Sequence, residues 1–188
     1  LFIPADFDFT WEQRKLKDTG STFNGLTGKS SSDFGHGDAH YIPYLNVFNN
    51  EIIDTKHLES IEIDRKQNEV EYGDVFFTTS SETPGEVGMS SIWLETLPNI
   101  YLNSFCFGYR LYSKEYIDYL YLTYFFRSRF FRSRIETLAQ GISRYNISKT
   151  KVIELPILLP SRREQRKIGA LFNKIQYFIT LHQRKILS

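Results

Sequence analysis

Cysteine is all but missing from this 188-residue chain: Cys106 stands alone. No internal disulfide is available, so stability must come from a packed core. The setting of that thiol, Tyr101-Leu102-Asn103-Ser104-Phe105-Cys106-Phe107-Gly108, is apolar and predicts burial in a reducing, cytoplasmic compartment. No apolar run approaches the roughly 20 residues that a helical bilayer span needs. The opening Leu1-Phe2-Ile3-Pro4 carries neither an initiator methionine nor a signal-peptide pattern, which gives the chain the look of an excised or trimmed fragment. Internal repeats and low-complexity linkers are lacking too. The net charge is only +1.

Catalytic patterns are equally scarce. No Walker loop occurs. Phe34-Gly35-His36-Gly37 resembles a glycine-rich nucleotide loop only superficially, with no clear strand before it and no helix after it. Tyr41-Ile42-Pro43-Tyr44 is loosely similar to the Asn/Asp-Pro-Pro-Tyr/Phe loop of amino-methyltransferases but lacks the leading amide or acid and the second proline. Glu62, Asp64 and Lys66 have the residue types of a metal-dependent nuclease, without a second acidic anchor. A charged strand edge or turn explains them as well. His36, Asp38 and His40 could present two imidazoles and a carboxylate on an extended segment, yet a solvated glycine-rich loop accounts for them equally. No activated-serine elbow is visible. The expectation is therefore a non-enzyme with no catalytic residue, no metal and no cofactor.

What the chain does have is aromatic mass and segregated charge. Sixteen Phe, 12 Tyr and 2 Trp make aromatics 16% of the residues, which argues for an ordered core. Residues 1–126 hold 9 Lys/Arg against 19 Asp/Glu, a balance of −10, while residues 127–188 hold 14 against 3, a balance of +11. Such segregation marks either a surface for a polyanion or an acidic part packed on a basic one.

The patterning predicts an α+β fold, a globular mixed sheet-and-helix domain over 1–160 followed by a long coiled-coil-type helix over 161–188. Gly20 to Asp38 reads as a long polar loop. His40–Phe48 and Ile52–Ile63 read as strands with a turn or short helix between them. Tyr72-Gly73-Asp74 turns into a strong strand at Val75–Thr79. Ile92–Leu97 and Tyr101–Leu111 continue the sheet. Ser113 caps a helix whose stripe, Ile117, Leu120, Tyr124, Phe131, Ile135 and Leu138, runs until Gly141 stops it in left-handed geometry. Arg127, Arg129, Arg132 and Arg134 flank the stripe, either snorkelling round a buried face or contacting phosphates. Ser148 caps a short turn before Val152–Leu159.

The join near residue 160 is sharp. Pro156 and Pro160 bound an apolar run suited to an edge strand, because proline donates nothing to a ladder. Ser161 and Glu164 then have capping-box spacing. Beyond them Ile168, Phe172, Ile175, Ile179, His182 and Ile186 recur at alternating steps of four and three, one narrow seam that Leu171 and Phe178 widen. A helix from Ser161 to Leu187 would be roughly 40 Å long. It packs either on its own domain or on a partner helix. His182 would be a register-setting polar residue.

Hydrogen-bonding side chains gather in the predicted loops: Lys29 and Ser30, Thr79, Ser80 and Ser81, and Arg144, Tyr145 and Asn146 with Lys149. Arg and Lys suit guanine edges, Asn suits adenine, and hydroxyls suit bases or phosphates, so these are the candidate DNA contacts. Solvent-facing loop polarity is the bland alternative.

Along almost its whole length the chain resembles one half of the specificity subunit of type I restriction–modification systems, a target recognition domain with its helix. The resemblance rests on Trp11 with Lys15-Leu16, Gly20, Tyr41-Ile42-Pro43-Tyr44-Leu45, Gly73-Asp74-Val75, Gly141, Arg144-Tyr145-Asn146-Ile147-Ser148, Leu155-Pro156, Pro160, Glu164-Gln165 and Ile168. Singly these are weak; their order ending in the proline–Glu-Gln–helix join makes the match specific. It implies a non-catalytic reader of one half of a bipartite double-stranded DNA site. Its partners would be modification subunits, restriction subunits through them, and a second recognition half or a homodimer mate through the helix. A structural adaptor without DNA readout, and a DNA-modifying enzyme, are the alternatives.

Overall fold

The computed structural model describes residues 11–187, with side chains through residue 183. The chain enters on β1 (Glu12–Lys15), makes a turn of helix, α1 (Leu16–Thr19), and continues into β2 (Gly20–Asn24), β3 (Phe34–Ile42) and α2 (Tyr44–Asn49). Short strands follow: β4 (Glu59–Ile61), β5 (Val75–Thr78), β6 (Ser80–Ser81), β7 (Ser90–Ile92), β8 (Ile100–Leu102) and β9 (Cys106–Leu111). Then come α3 (Tyr119–Arg127), α4 (Arg129–Leu138), β10 (Tyr145–Asn146), α5 (Lys149–Val152), β11 (Pro156–Leu159) and the long α6 (Arg162–Leu187).

Strand β5 reads Val-Phe-Phe-Thr and is buried at every position, because both faces of its sheet are covered. Alternation along the strand sends Val75 and Phe77 to one face and Phe76 to the other. On the first face Phe77 stacks on Phe107 at 5.3 Å and meets Phe126 edge-on at 5.1 Å, within a core closed by α3, α4 and β11. On the second face Phe76 packs with Trp93, Ile42, Val47 and Leu102. Antiparallel pairing gives the order β2-β9-β5-β7, and a second sheet, β4-β3-β8, joins β3 to β8 in parallel. Buried Asp74 leads into β5, its carboxylate taking Arg110 Nε at 2.8 Å and Nη2 at 2.7 Å.

Several predicted elements are redrawn. The loop expected over 20–38 contains β2, paired with β9, and the start of β3, because its small polar residues lie on exposed sheet positions. The strand expected from His40 ends at Ile42, and Pro43 caps a helix, α2, instead. Tyr101–Leu111 is two strands in different sheets, broken where the Asn103 side chain accepts the Phe105 amide at 2.8 Å. The single helix expected from Ser113 is also two. Asp118 caps α3, and Ser128, donating to the Phe125 carbonyl at 2.6 Å, ends α3 and caps α4. Gly141 has φ +144, outside left-handed helical geometry, and α4 has already ended at Leu138.

The basic residues on these helices belong to the scaffold. Arg127 donates to the carbonyls of Ser90 and Asn50, each at 2.7 Å, and Arg132 to those of Gly88 and Val87, each at 2.7 Å. Arg134 lies 3.6 Å over the Phe130 ring. Of the two readings of this basic stripe, these three follow the structural one.

The two ends of the head meet beneath α6. Strand β1 pairs antiparallel with β11, from Glu12↔Leu159 to Lys15↔Pro156. Lys15 and Lys17 both reach Glu154, at 2.9 and 2.8 Å. The capping box forms as its spacing predicts: Ser161 N–H and Oγ–H donate to Glu164 Oε2 at 3.0 and 2.7 Å. Gln165, 2% exposed, accepts the Asp118 amide at 2.8 Å and donates to the Pro160 carbonyl at 2.8 Å, which locks helix to head. One turn on, Gly169 lets α6 press against α3. A Cβ there would stand 2.7 Å from the Tyr121 amide nitrogen and 2.8 Å from Leu120 Cβ.

Alanine favours a helix over glycine by about 1 kcal/mol, so propensity alone would make Gly169→Ala stabilising. Overpacking a tight contact costs about 1–3 kcal/mol, and Gly169→Ala is expected to lower the denaturation midpoint. A raised midpoint would contradict the α3–α6 contact.

Candidate nucleic-acid interface

The predicted contact residues fall into two linked groups. In the first, β6 and β10 form a two-residue ladder, Ser81↔Tyr145 and Ser80↔Asn146. Thr79 leads into it, with its amide and Oγ1 both donating to the Phe105 carbonyl, at 3.0 and 2.8 Å. Ser80 and Ser81 are buried, at 4% and 7% exposure. Their hydroxyls are engaged by exposed neighbours: Ser80 Oγ accepts Nε and Nη2 of Arg144, each at 3.2 Å, and Ser81 Oγ donates to Glu86 at 3.2 Å. Arg144 and Asn146 are exposed and Tyr145 is half-buried. Behind this ladder Gly141 carries the loop at positive φ; an added Cβ would lie 2.0 Å from the Arg144 carbonyl oxygen. Lys149, on α5, donates to the Asn24 side chain at the end of β2.

The second group, Lys29 and Ser30, lies on a cleft of about 440 Å³ whose walls include Phe34, Tyr41, Tyr44 and Phe105. Tyr44 and Phe105 tie the groups together, since Tyr44 Oη donates to the Ser80 carbonyl at 2.8 Å while the Phe105 carbonyl holds Thr79. Phe105 is 59% exposed on the tip between β8 and β9. Lys29 is not a free cation: its ammonium sits 2.8 Å from Asp64. Ser30 and Asp33 cap the 3-10 turn that follows, with Ser30 N–H and Oγ–H donating to Asp33 at 2.6 and 2.7 Å.

Charge in this region is set by local partners. The Lys29 ammonium, with the Lys66 amide and Gln67, holds the Asp64 carboxyl far below the ordinary carboxylate range. The Ser30 amide and hydroxyl lower Asp33. Burial pushes the Tyr41 phenol up to about 12, helped by Glu59, and raises Tyr44 as well. Cys106 is buried and accepts the Asn103 side-chain amide at 3.3 Å, its thiol pushed up to about 12 by burial, which disfavours the thiolate at neutral pH.

Sequence reasoning named Lys29, Ser30, Thr79–Ser81, Arg144–Asn146 and Lys149, but missed Tyr44, Phe105 and Asn24. The Asn103-Ser104 pair between two apolar runs was a turn signal that would have put Phe105 at a tip. Among the described residues, no three His, Cys, Asp or Glu side chains converge as a metal cluster. His36, the first residue of the weighed trio, lies 3.6 Å from Glu62 instead.

The predicted helix seam divides. Ile168 packs against the head's core and Phe172 lies over Tyr124 with ring centroids 5.6 Å apart. Past Ile168, Leu171, Phe172, Ile175, Phe178 and Ile179 all leave 43–58% of their surface exposed, and His182 is exposed too. The side chain of Ile186 lies outside the described residues. No helix of the described residues is long and apolar enough to cross a membrane.

The family model described as type I restriction modification DNA specificity domain matches residues 9–188. A search of curated proteins finds no match. Among solved structures, the type I restriction–modification S subunit from M. genitalium is 16% identical with a TM-score of 0.59, covering 93% of this chain and 41% of that one. The HsdS subunit from Thermoanaerobacter tengcongensis is 17% identical with a TM-score of 0.63, covering 96% and 41%. A chain from a structure of complex assembly and conformational transition in the type I R-M system is 16% identical with a TM-score of 0.67, covering 96% and 42%. The present chain thus spans about two-fifths of the solved chains it matches.

The Asp64–Lys29 pair yields a pH test. A depressed carboxyl contributes stability that is complete above its unfolded value of about 3.9 and fades as pH falls through and below it. A carbon-13 titration of Asp64 is expected to show a midpoint well under that value, moving up in Lys29→Met. An ordinary midpoint in the parent protein would mean that Lys29 is free.

Proposed function

Because the chain belongs to the type I restriction modification DNA specificity domain family, we propose that it reads one half of a bipartite DNA site for a modification and restriction complex. The observation that carries this reading is the exposed Arg144–Asn146 edge, held rigidly from behind by Ser80, Tyr44 and Gly141. The donor fork of Arg144, just before β10, and the amide of Asn146 on it are side-chain types that read base edges in a major groove. Lys149 and the exposed Arg129 and Lys151 supply positive charge for the phosphate backbone. The buried Ser80 and Ser81 position this edge and do not touch DNA. In this reading the chain binds DNA and does no chemistry on it; the methyl-transfer and cleavage steps belong to modification and restriction subunits.

The division falls at the capping box, residues 1–160 reading DNA and 161–188 recruiting partners. The distal seam supports the second role, since Ile175, Phe178 and Ile179 are apolar, exposed and on a rigid helix. A second recognition half or a second copy of this chain would cover them, with modification subunits alongside. That seam also favours the adaptor reading, in which the helix docks and the head has lost its DNA affinity.

Binding to randomised duplexes over a salt series, with the modification subunit present, tests the reading. Sequence preference with a logarithmic salt slope of about −0.9 per neutralised phosphate is expected. Arg144→Ala with Lys149→Ala should cost about 10-fold or more in affinity. Unchanged affinity would favour the adaptor, and turnover of DNA by the chain alone with a divalent metal or methyl donor would favour an enzyme.

Ile175→Asp places a carboxylate where a partner helix would bury it, at a cost of several kcal/mol. Light scattering is expected to show loss of helix-mediated association, with an unchanged far-ultraviolet circular dichroism spectrum. The same mass for mutant and parent would remove the seam from the pairing interface.

A further inference from the structure

We infer that Arg144 is a guanine reader, and that it uses the Nη1–Nη2 end of its guanidinium for the purpose. This rests on the DNA-reading function proposed above and adds the identity of one base in the half-site. A guanidinium offers five N–H donors in a fixed plane. In Arg144 one edge is already committed: Nε and Nη2 each lie 3.2 Å from Ser80 Oγ. The remaining paired edge, Nη1 with the second Nη2 proton, is turned away from that anchor.

The anchor itself does not move easily. Ser80 is 4% exposed, its carbonyl takes the Tyr44 hydroxyl at 2.8 Å, and its backbone is laddered to Asn146. The Arg144 carbonyl is wedged against Gly141, where any side chain would collide at 2.0 Å. Backbone and guanidinium are therefore both held before DNA arrives, and the freedom that arginine loses on binding is already largely spent. A preset planar pair of donors matches two adjacent acceptors. In the major groove guanine alone offers them, O6 and N7; adenine offers one acceptor and one donor. A phosphate can also take the fork bidentately, but it does so at every sequence, whereas a guanine contact confers a preference at one position. The anchor is a neutral hydroxyl, so the full positive charge stays on the fork, unlike Lys29 with Asp64.

Selection from a randomised duplex library by the full chain with its modification subunit gives the test. The enriched motif is expected to contain a guanine whose preference, about 5- to 150-fold, disappears in Arg144→Ala at that position alone. Replacing this guanine with 7-deazaguanine, which lacks the N7 acceptor, should weaken the parent protein to a similar extent and leave Arg144→Ala unaffected. Ser80→Ala should relax the same position. A motif without such a guanine, or a loss in Arg144→Ala spread evenly over all sequences, would overturn the inference and leave DNA reading standing. No enrichment of any sequence by the parent would overturn the DNA-reading function and the inference with it. The deaza substitution needs no variant protein, so a misfolded mutant cannot mask the outcome.

Discussion

Everything else hangs on the doubly buried strand β5. Its three apolar side chains serve two cores, Phe77 and Val75 with α3 and α4, Phe76 with Trp93 and α2. Burying a phenylalanine contributes about 1.5–3 kcal/mol, and two adjacent ones on opposite faces fix the strand in both directions at once. The chain leaves β5 through Thr78 and Thr79 straight into β6, so the position of β6, and through it of β10 and Arg144, is inherited from that strand. A ladder only two residues long has little cohesion of its own. It is rigid because the strand before it cannot shift.

The helices contribute through cations rather than through a polar surface. Arg127 and Arg132 turn inward and satisfy seven carbonyls of the 47–50 and 85–90 segments. This explains why the +11 balance of the last third overstates the charge available to a polyanion. A buried guanidinium must be matched by several acceptors, and loops that lack ladder partners supply them. The basic stripe thus organises the 47–50 and 85–90 segments, and in the proposed reading the charge for DNA would come from Arg144, Lys149 and their exposed neighbours.

Much of this was legible in the sequence, for physical reasons. The Ser161–Glu164 box, the proline-bounded strand and the four-three spacing of the last helix are local signals, and they appear where spacing puts them. The polar trio Arg144-Tyr145-Asn146 could be singled out because nothing in its own pattern called for burial. What stayed hidden depended on long-range contact. The break at Ser128 is masked because the apolar stripe continues across it, while the serine both ends α3 and caps α4. Strand β2 was masked because its small polar residues gain their pairing from β9, over eighty residues away. The division of the seam, with Ile168 inside the head and Ile175 outside, follows from Gly169 meeting α3, which no periodicity reports. Tyr44 and Phe105 join the site only because the fold brings the start of α2 and the β8–β9 tip to the β6–β10 ladder.

The account's central claim is that one face of the head reads DNA while the distal helix is reserved for partners. Hydrogen–deuterium exchange on the chain with its modification subunit, with and without a specific duplex, tests this most directly. New protection is predicted at residues 79–81, 104–105 and 141–149, with none added along 171–183. Protection confined to the helix, with the 141–149 segment unchanged, would contradict it.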